Sequence, residues 1–349
     1  MEPSGLRWAS SWLVATRTVS RWSCARTPNW LSPARKRLIG AREAQAHVTR
    51  VTQHYNIGGA VPFVDVHIEQ DSELFLEPSA IRAASRAGDL YAARADQRLV
   101  SFVREMLDST HRGDWPRGQY LLAPLHEPNE TRLGMTAAGA AGRGFASGKG
   151  RELWRSIQRN RACQDQLIVN RLEDLTLFVD GVGPDLVSDL VTRVAFDVLA
   201  DYTSAMCSLY PQLAVGETTR LEPVWDTGTR MWVPQSLTLP VASGKRLLLI
   251  PTGWVWTRQL LNAQSFYRLE ALGRIQEQRT VSARSGGRPL VPTKKSLEVD
   301  YPAVRPTNIT QAVEAAEQGI RLVILHTSYV QQRWAAIQLD ADKINGLIN

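Results

Sequence analysis

The stretch LTLFVDGVGPDLVSDL, residues 175–190, contains the sharpest change of pattern in the chain. Its apolar start, residues 175–179, predicts a buried strand that ends at Asp180. Pro184 then stands where the first turn of a helix favours proline, and apolar residues at helical spacing predict a helix to about Leu209. A strand that passes into a helix through an acidic, glycine-containing turn indicates a protein that mixes α and β structure.

The segments on either side extend this prediction. Helices are predicted over residues 87–107 and 149–159, and short strands with a hairpin turn between residues 221 and 250. We therefore predict a mixed α/β (α+β) fold with central helices and a small mixed sheet. The predicted parts are residues 1–50, a basic extension; 55–210, an α/β core with the candidate site; and 211–349, a C-terminal β-hairpin and helical part. The last two parts could form one domain.

Charge is distributed unevenly along the chain. The first 50 residues hold nine Lys/Arg and two acidic residues, which accounts for the whole formal net charge of +7. The rest of the chain is neutral, so the high pI does not by itself indicate a nucleic-acid-binding body. The basic segment is consistent with a transit peptide, a nucleic-acid-binding arm or a start codon assigned upstream of the natural one.

Cysteine usage and hydropathy limit the compartment. The chain has three scattered cysteines and no Cys-x-x-Cys pair, which excludes a disulfide scaffold and a thiolate zinc site. No run of about 18 apolar residues occurs, so no membrane span is predicted. We expect a cytoplasmic protein.

Carboxylates concentrate between Glu173 and Asp189. Asp180 ends the predicted strand, while Asp185 and Asp189 lie four residues apart on one face of the predicted helix. Oxygen ligands from a strand end and the following helix can converge on Mg²⁺ or Mn²⁺, which supports phosphoryl transfer or hydrolysis. Two alternatives stay open, because Asp185 could serve only the helix dipole and Asp189 could belong to a solvated face.

A second polar string, HEPNETRLG at residues 126–134, follows a short apolar run. We predict four catalytic residues in it, which are His126, Glu127, Glu130 and Arg132. His126 or Glu127 would act as a base or a further metal ligand, and Arg132 would contact phosphate. The alternative is ordinary turn chemistry, with Glu127 or Glu130 paired to Arg132.

A glycine-rich stretch, residues 142–150, leads into the helix predicted over residues 149–159. Backbone N–H groups at Gly144 and Gly148, together with Lys149, would suit a phosphate group. The spacing fits neither a Walker A loop nor a dinucleotide fingerprint, so the nucleotide signal is weak. A flexible lid or linker is the alternative interpretation.

Four segments carry a resemblance to a known family: Phe63–Val66, Leu74–Arg82, His126–Gly134 and Asp180–Asp189. Through them the chain resembles a family of uncharacterised prokaryotic proteins often found beside mobile elements and defence genes. Asp180 stands where the family usually has Glu, which keeps the carboxylate. The resemblance implies a genetic setting and no mechanism.

The leading hypothesis is a metal-dependent phosphodiesterase that acts on nucleic acid or nucleotides in a mobile-element or defence setting. The alternative is a non-catalytic interaction subunit that inhibits or recruits a partner protein encoded nearby. The neutral body favours this alternative, because nucleases usually carry positive charge where the phosphate backbone lies. A small-molecule nucleotide hydrolase is a third hypothesis, since it needs no long basic groove.

Overall fold

The computed structural model describes residues 49–126, 128–134, 148–258, 260–282 and 288–335, together with residues 344, 346 and 348. Residues 1–48 of the predicted extension, Glu127, Gly144 and the side chain of Lys149 lie outside the described part. Within that part, helices alternate with short strands, and the predicted α+β class is confirmed.

Helices make up the larger part of the regular structure among the described residues. In the first half they are α1 (Val51–His54), α2 (Pro78–Arg86), α3 (Leu90–His111), α4 (Trp115–Leu122), α5 (Lys149–Arg159), α6 (Leu175–Phe178), α7 (Pro184–Val194) and α8 (Phe196–Leu209). Further along, α9 (Ala263–Phe266) continues through a π-helical turn (Tyr267–Ala271) into α10 (Leu272–Gln278), and α11 (Lys294–Asp300), α12 (Val304–Glu317) and α13 (Leu322–Ala335) follow.

The strands of the described part form three separate antiparallel pairs rather than one mixed sheet. These are β1 (Phe75–Leu76) with β6 (Val255–Trp256), β2 (Thr218–Asp226) with β3 (Met231–Leu239), and β4 (Val241–Ala242) with β5 (Lys245–Arg246). The long hairpin β2–β3 places Pro223 opposite Pro234. Proline has no N–H to donate, so both prolines protect the outer edges of the hairpin against pairing with another strand.

Two neighbouring residues, Gly88 and Asp89, fix the start of the long helix α3. Gly88 ends the preceding turn in a left-handed conformation (φ 97°), which costs little for glycine. The Asp89 side chain then accepts a hydrogen bond from the Ala92 N–H at 3.0 Å, which caps the helix. Apolar residues at helical spacing, Phe102 among them, form its buried face. The helix predicted over residues 87–107 is therefore present, displaced by three or four residues at each end.

The prediction of a buried strand over residues 175–179 is wrong. Residues 175–178 form the single helical turn α6, and Val179 alone is extended. All five residues are buried, and a short apolar run that is buried on every side fits a strand and a helical turn equally well. The single helix predicted from Pro184 to about Leu209 is found as two helices, α7 and α8, which are separated at Ala195.

The described residues form two clusters of buried apolar side chains, a large one and a small one around Tyr267 and Leu297. The large cluster draws on both halves of the chain, because Phe102 of α3 packs edge-on against Trp225 of β2 with ring centroids 5.1 Å apart. Trp232 of β3 completes this aromatic group at 5.3 Å from Trp225. No helix of the described part combines the length and the apolar character needed to cross a lipid bilayer.

Candidate functional site

The string at residues 126–134 is held between two other segments by backbone hydrogen bonds. The Glu130 carbonyl accepts from the Leu248 N–H at 2.8 Å, and the Arg132 carbonyl accepts from the Ser72 N–H at 2.8 Å. His126 lies exposed at the start of the string, while Glu130 is half-buried. The string therefore acts as a connection in the fold, and of its described residues only His126 and Asn129 are exposed.

Arg132 has a structural position. Arg132 is only 4% exposed to solvent, and its backbone adopts a left-handed conformation with φ 55°. The guanidinium donates from Nε to the Ile68 carbonyl at 2.9 Å, from Nη1 to the Asn129 carbonyl, and from Nη2 to the Arg246 carbonyl at 3.4 Å. Burial lowers the pKa of Arg132, and the nearby Asp71 carboxylate opposes that effect. The donors expected to bind phosphate are thus directed at backbone carbonyls.

Glu130 belongs to a largely buried group of four charged side chains, which also contains Glu222, Arg193 and Arg246. Its Oε1 lies 3.8 Å from Arg246 Nη1, and Arg246 also donates to Glu222. Arg193 Nη2 lies 3.5 Å from the other oxygen of Glu222. Both guanidinium groups lie against the Phe196 ring, at 4.6 and 6.0 Å from its centroid. The charges in this group balance, as expected for ion pairs removed from water.

The three aspartates predicted to bind a metal have different surroundings. The Asp180 side chain is 87% exposed and pairs with Arg305 Nη1 at 3.0 Å. Asp185 is exposed near the start of α7, and its Oδ1 would lie 3.3 Å from a Cβ added to Gly134. The two polar strings therefore meet at this one point, while Asp189 lies half-buried further along α7.

The predicted Mg²⁺ or Mn²⁺ site does not fit this arrangement. Among the described residues, no group of three His, Cys, Asp or Glu side chains is placed to hold a metal ion. Two or three converging carboxylates are the minimum that such a cation needs from the protein. The strand end that was expected to direct Asp180 toward the other aspartates is a helical turn instead.

Two other acidic residues of the same region, Glu173 and Asp174, are fully buried. Arg82 Nη1 donates to Glu173 at 2.5 Å, and the Asp174 carboxylate accepts two backbone N–H groups at 2.8 and 3.0 Å. Glu77 accepts from the Leu260 N–H at 3.1 Å. We call Glu77, Arg82, Glu173 and Asp174 the buried ionic cluster. The cavity beside it measures about 10 Å³, which leaves room for about one water molecule and none for a substrate.

The buried ionic cluster holds three carboxyl groups against one arginine, so full ionisation is unfavourable. Burial, together with the charge of Glu173, raises the pKa of Glu77 to about 7 and the pKa of Asp174 to about 7. In the unfolded chain both groups ionise at about pH 4. Between these pH values the folded state therefore binds more protons than the unfolded state. The contribution that these two groups make to the free energy of unfolding is lost as the pH rises through 7.

We predict that the free energy of unfolding falls on the order of 3 kcal/mol between about pH 5 and pH 8. Asp174→Asn should flatten this dependence, because the amide oxygen still accepts the two N–H groups and carries no charge. Asp180→Asn, at an exposed position, is the matched control and should keep the wild-type slope. Urea unfolding at several pH values measures all three proteins. A stability that rises toward pH 8 would contradict the prediction.

Helix α5 has the bounds that the sequence predicts, residues 149–159, and it has two opposite faces. Trp154 lies on the buried face, whereas Arg151, Arg155 and Arg159 are exposed four residues apart on the other. We call these three arginines the basic face. They line a groove of about 450 Å³, whose other described lining residues are Gly148, Glu152 and Ser156. None of the three side chains makes a hydrogen bond or salt bridge with a described residue.

Tight packing fixes α5 against α4. The Trp154 ring lies so close to Gly118 that a Cβ on this glycine would be 2.5 Å from two of its carbon atoms. Trp115, the first residue of α4, packs edge-on against Trp154 with ring centroids 5.7 Å apart. Because both contacts are made by the buried face of α5, they hold the basic face toward solvent.

Sequence reasoning found α5 but missed its basic face. It assigned the phosphate-binding role to Gly144, Gly148 and Lys149 at the start of the helix, and of these Gly148 does line the groove. The signal was the repetition of arginine every four residues in KGRELWRSIQR, residues 149–159. Because the chain after residue 50 has no net charge, its total charge does not reveal this local concentration of arginine.

No curated protein and no solved structure matches the chain. One family model, described as a domain of unknown function (DUF8370), matches residues 56–262. The match covers more than half of the 349 residues and includes both polar strings and α5. The chain therefore belongs to the DUF8370 family.

Proposed function

We propose that this protein binds nucleic acid through the basic face of α5. The observation that carries the proposal is the set of three exposed arginines, four residues apart, that have no carboxylate partner among the described residues. Arginines that pair inside a protein neutralise its own acids, and the buried arginines near Glu222 and Glu173 do so. Arginines left toward solvent in a row are available to an external anion.

The spacing and chemistry of the basic face suit a phosphate chain. Residues four apart on a helix are separated by about 6 Å along the axis, so the row spans about 12 Å. The planar guanidinium group donates two parallel hydrogen bonds to a phosphate. Glu152 adds one negative charge to the groove, so its described side chains carry a net charge of two positive units.

The proposal keeps the nucleic-acid partner of the leading hypothesis and derives no metal-dependent step. The described carboxylates do not supply a ligand set, so the basic face supports binding rather than hydrolysis. The prokaryotic mobile-element or defence setting and the cytoplasmic location are part of the proposal. They rest on the resemblance of the polar strings to that family and on the scattered cysteines.

The test measures binding of fluorescent oligonucleotides to the full chain and to a variant with Arg151, Arg155 and Arg159 replaced by Gln. We expect the affinity to fall on the order of 100-fold, at about 1 kcal/mol for each lost contact. A matched variant replaces three other exposed arginines by Gln: Arg86, Arg220 and Arg321. It changes the net charge equally and should bind like wild type. Equal losses in the two variants, or none, would reject the proposal.

A second candidate function is the interaction subunit, which one observation favours. Large apolar side chains are exposed near the start of α13 and along it: Ile320, Ile324, Leu325 and Tyr329. An apolar patch of this kind can form part of a protein–protein interface. Co-expression with the neighbouring gene product tests it, because replacing Ile324 and Leu325 by Ser should then abolish a stable complex. A complex that survives these changes would exclude this surface.

A further inference from the structure

The group of Glu130, Glu222, Arg193 and Arg246 is balanced in charge but not in hydrogen bonds. The Arg193 side chain is only 1% exposed, and none of its three nitrogens has a hydrogen-bond partner among the described residues. Its approach to Glu222 at 3.5 Å is a long ion pair. A guanidinium group carries five N–H donors, and burying them without an acceptor is unfavourable. Arg193 is therefore a buried cation with donors available to an external acceptor.

Of the two glutamates in this group, Glu130 is held less closely. Arg246 Nη1 donates directly to Glu222, whereas Oε1 of Glu130 lies 3.8 Å from the same nitrogen, beyond hydrogen-bonding distance. The Glu130 side chain is also the more exposed of the two, at 19% against 12% for Glu222. The arginines lie behind the glutamates, and Glu130 is the side chain at the solvent edge that can turn outward without breaking a hydrogen bond to an arginine.

The surroundings of the two arginines are fixed independently of the Glu130 side chain. The guanidinium groups of Arg193 and Arg246 lie 4.6 and 6.0 Å from the centroid of the Phe196 ring. The backbone of Glu130 is held by the Leu248 N–H, which donates to its carbonyl at 2.8 Å, so an outward turn needs rotation of the side chain alone. The two cations thus stay in place during such a turn, and this preorganisation lowers the entropy lost on binding.

We propose that Arg193 and Arg246 bind a small oxyanion of the phosphate class, which takes the place of the Glu130 carboxylate. With Glu130 turned outward, two arginines face the single negative charge of Glu222, so the remaining group carries one net positive charge. A planar guanidinium group donates two parallel hydrogen bonds to a phosphate, and the unpartnered nitrogens of Arg193 can supply them. A phosphate ion is close in size to the carboxylate and methylene that leave, so the exchange requires little additional room.

The test is titration calorimetry of inorganic phosphate into the full chain. Arg193→Met keeps an apolar contact with Phe196 but has no donor, and it should weaken phosphate binding by about tenfold or more. Glu130→Gln removes the competing charge and should strengthen binding by about tenfold. Such a gain cannot come from a folding defect. Glu298→Gln, at another half-buried and ion-paired glutamate, is the matched control and should bind phosphate like wild type.

This inference does not rest on the proposed function, because none of the four residues lines the groove of the basic face. The variant with the three arginines of the basic face replaced by Gln should therefore still bind phosphate at this site. If that variant loses phosphate while Arg193→Met retains it, the ion binds the basic face and the inference is wrong. Absence of phosphate binding by wild type, or no gain in Glu130→Gln, would also overturn it. Phenyl phosphate separates the two sources of the group, since its binding assigns phosphate esters and its exclusion assigns the free ion.

Discussion

Arg132→Ala should lower the free energy of unfolding on the order of 3 kcal/mol, because it removes charged hydrogen bonds to three backbone carbonyl groups, two of them on buried residues. Those carbonyls belong to residues far apart in the chain, Ile68, Asn129 and Arg246. Urea unfolding followed by tryptophan fluorescence measures the loss, and the short pair β4–β5 should loosen with it, since Arg246 lies in β5.

Arg220→Ala is the matched control for Arg132. This arginine is exposed on β2, so its removal should change stability by no more than about 0.5 kcal/mol. If Arg132→Ala were as stable as Arg220→Ala and instead lost affinity for phosphate or nucleic acid, Arg132 would be a ligand-binding residue. The structural role assigned to it here would then be wrong.

Gly118→Ala should destabilise the protein by about 2 kcal/mol or more, because overpacking forces the side chain or the backbone to move. The added methyl group would lie 2.5 Å from two ring carbons of Trp154, well inside van der Waals contact. Neither α4 nor the buried indole can shift without disturbing the other. Since Trp154 fixes the orientation of α5, the variant should also bind nucleic acid more weakly than wild type.

Gly273→Ala gives the opposite expectation at a matched helical position. The nearest atom to a Cβ there is the end of the Lys294 side chain at 4.0 Å, so nothing is crowded. Alanine in a helix should then stabilise the protein by about 0.5–1 kcal/mol, because the unfolded chain has less freedom to lose. A Gly118→Ala variant with unchanged stability would show that α4 and α5 pack less closely than described.

The parts of the fold that the sequence predicts well are those with local causes. Helix α3 has a capping aspartate and a clear apolar period, and α5 has a glycine before it and alternating faces. The strand pattern also predicts short strands inside β2 and β3, and the predicted hairpin turn at residues 242–245 joins β4 to β5. In each case the signal lies within one element, so no knowledge of distant residues is needed.

The wrong predictions concern segments whose structure depends on residues that are distant in sequence. The buried apolar run at residues 175–178 forms a helical turn rather than a strand, and the Thr176 hydroxyl donates a hydrogen bond to the Glu173 carbonyl at 2.7 Å. Asp180 then faces solvent beside Arg305, which is 125 residues away in sequence. No local pattern reveals such a partner, so the predicted metal site could not be judged from the sequence.

The candidate site was predicted in part. The sequence shows that carboxylates such as Glu173 and Asp174 are concentrated in this region. In the structure these two are buried and form ionic and hydrogen-bonded contacts inside the fold, not a surface site. The basic face could have been predicted, because arginine at every fourth position of an amphipathic helix is visible in residues 149–159. What the sequence could not supply is that no acid among the described residues pairs with these arginines.

The salt dependence of binding to a single-stranded oligonucleotide, used as the probe, tests most directly whether the basic face binds nucleic acid. Each phosphate contact contributes about −0.7 to the slope of log affinity against log salt concentration. The slope for wild type should be steeper by about 2 than for the variant in which Arg151, Arg155 and Arg159 are replaced by Gln, because three contacts are lost. Identical slopes for the two proteins would show that the phosphates lie elsewhere, and the basic face would then have no part in binding.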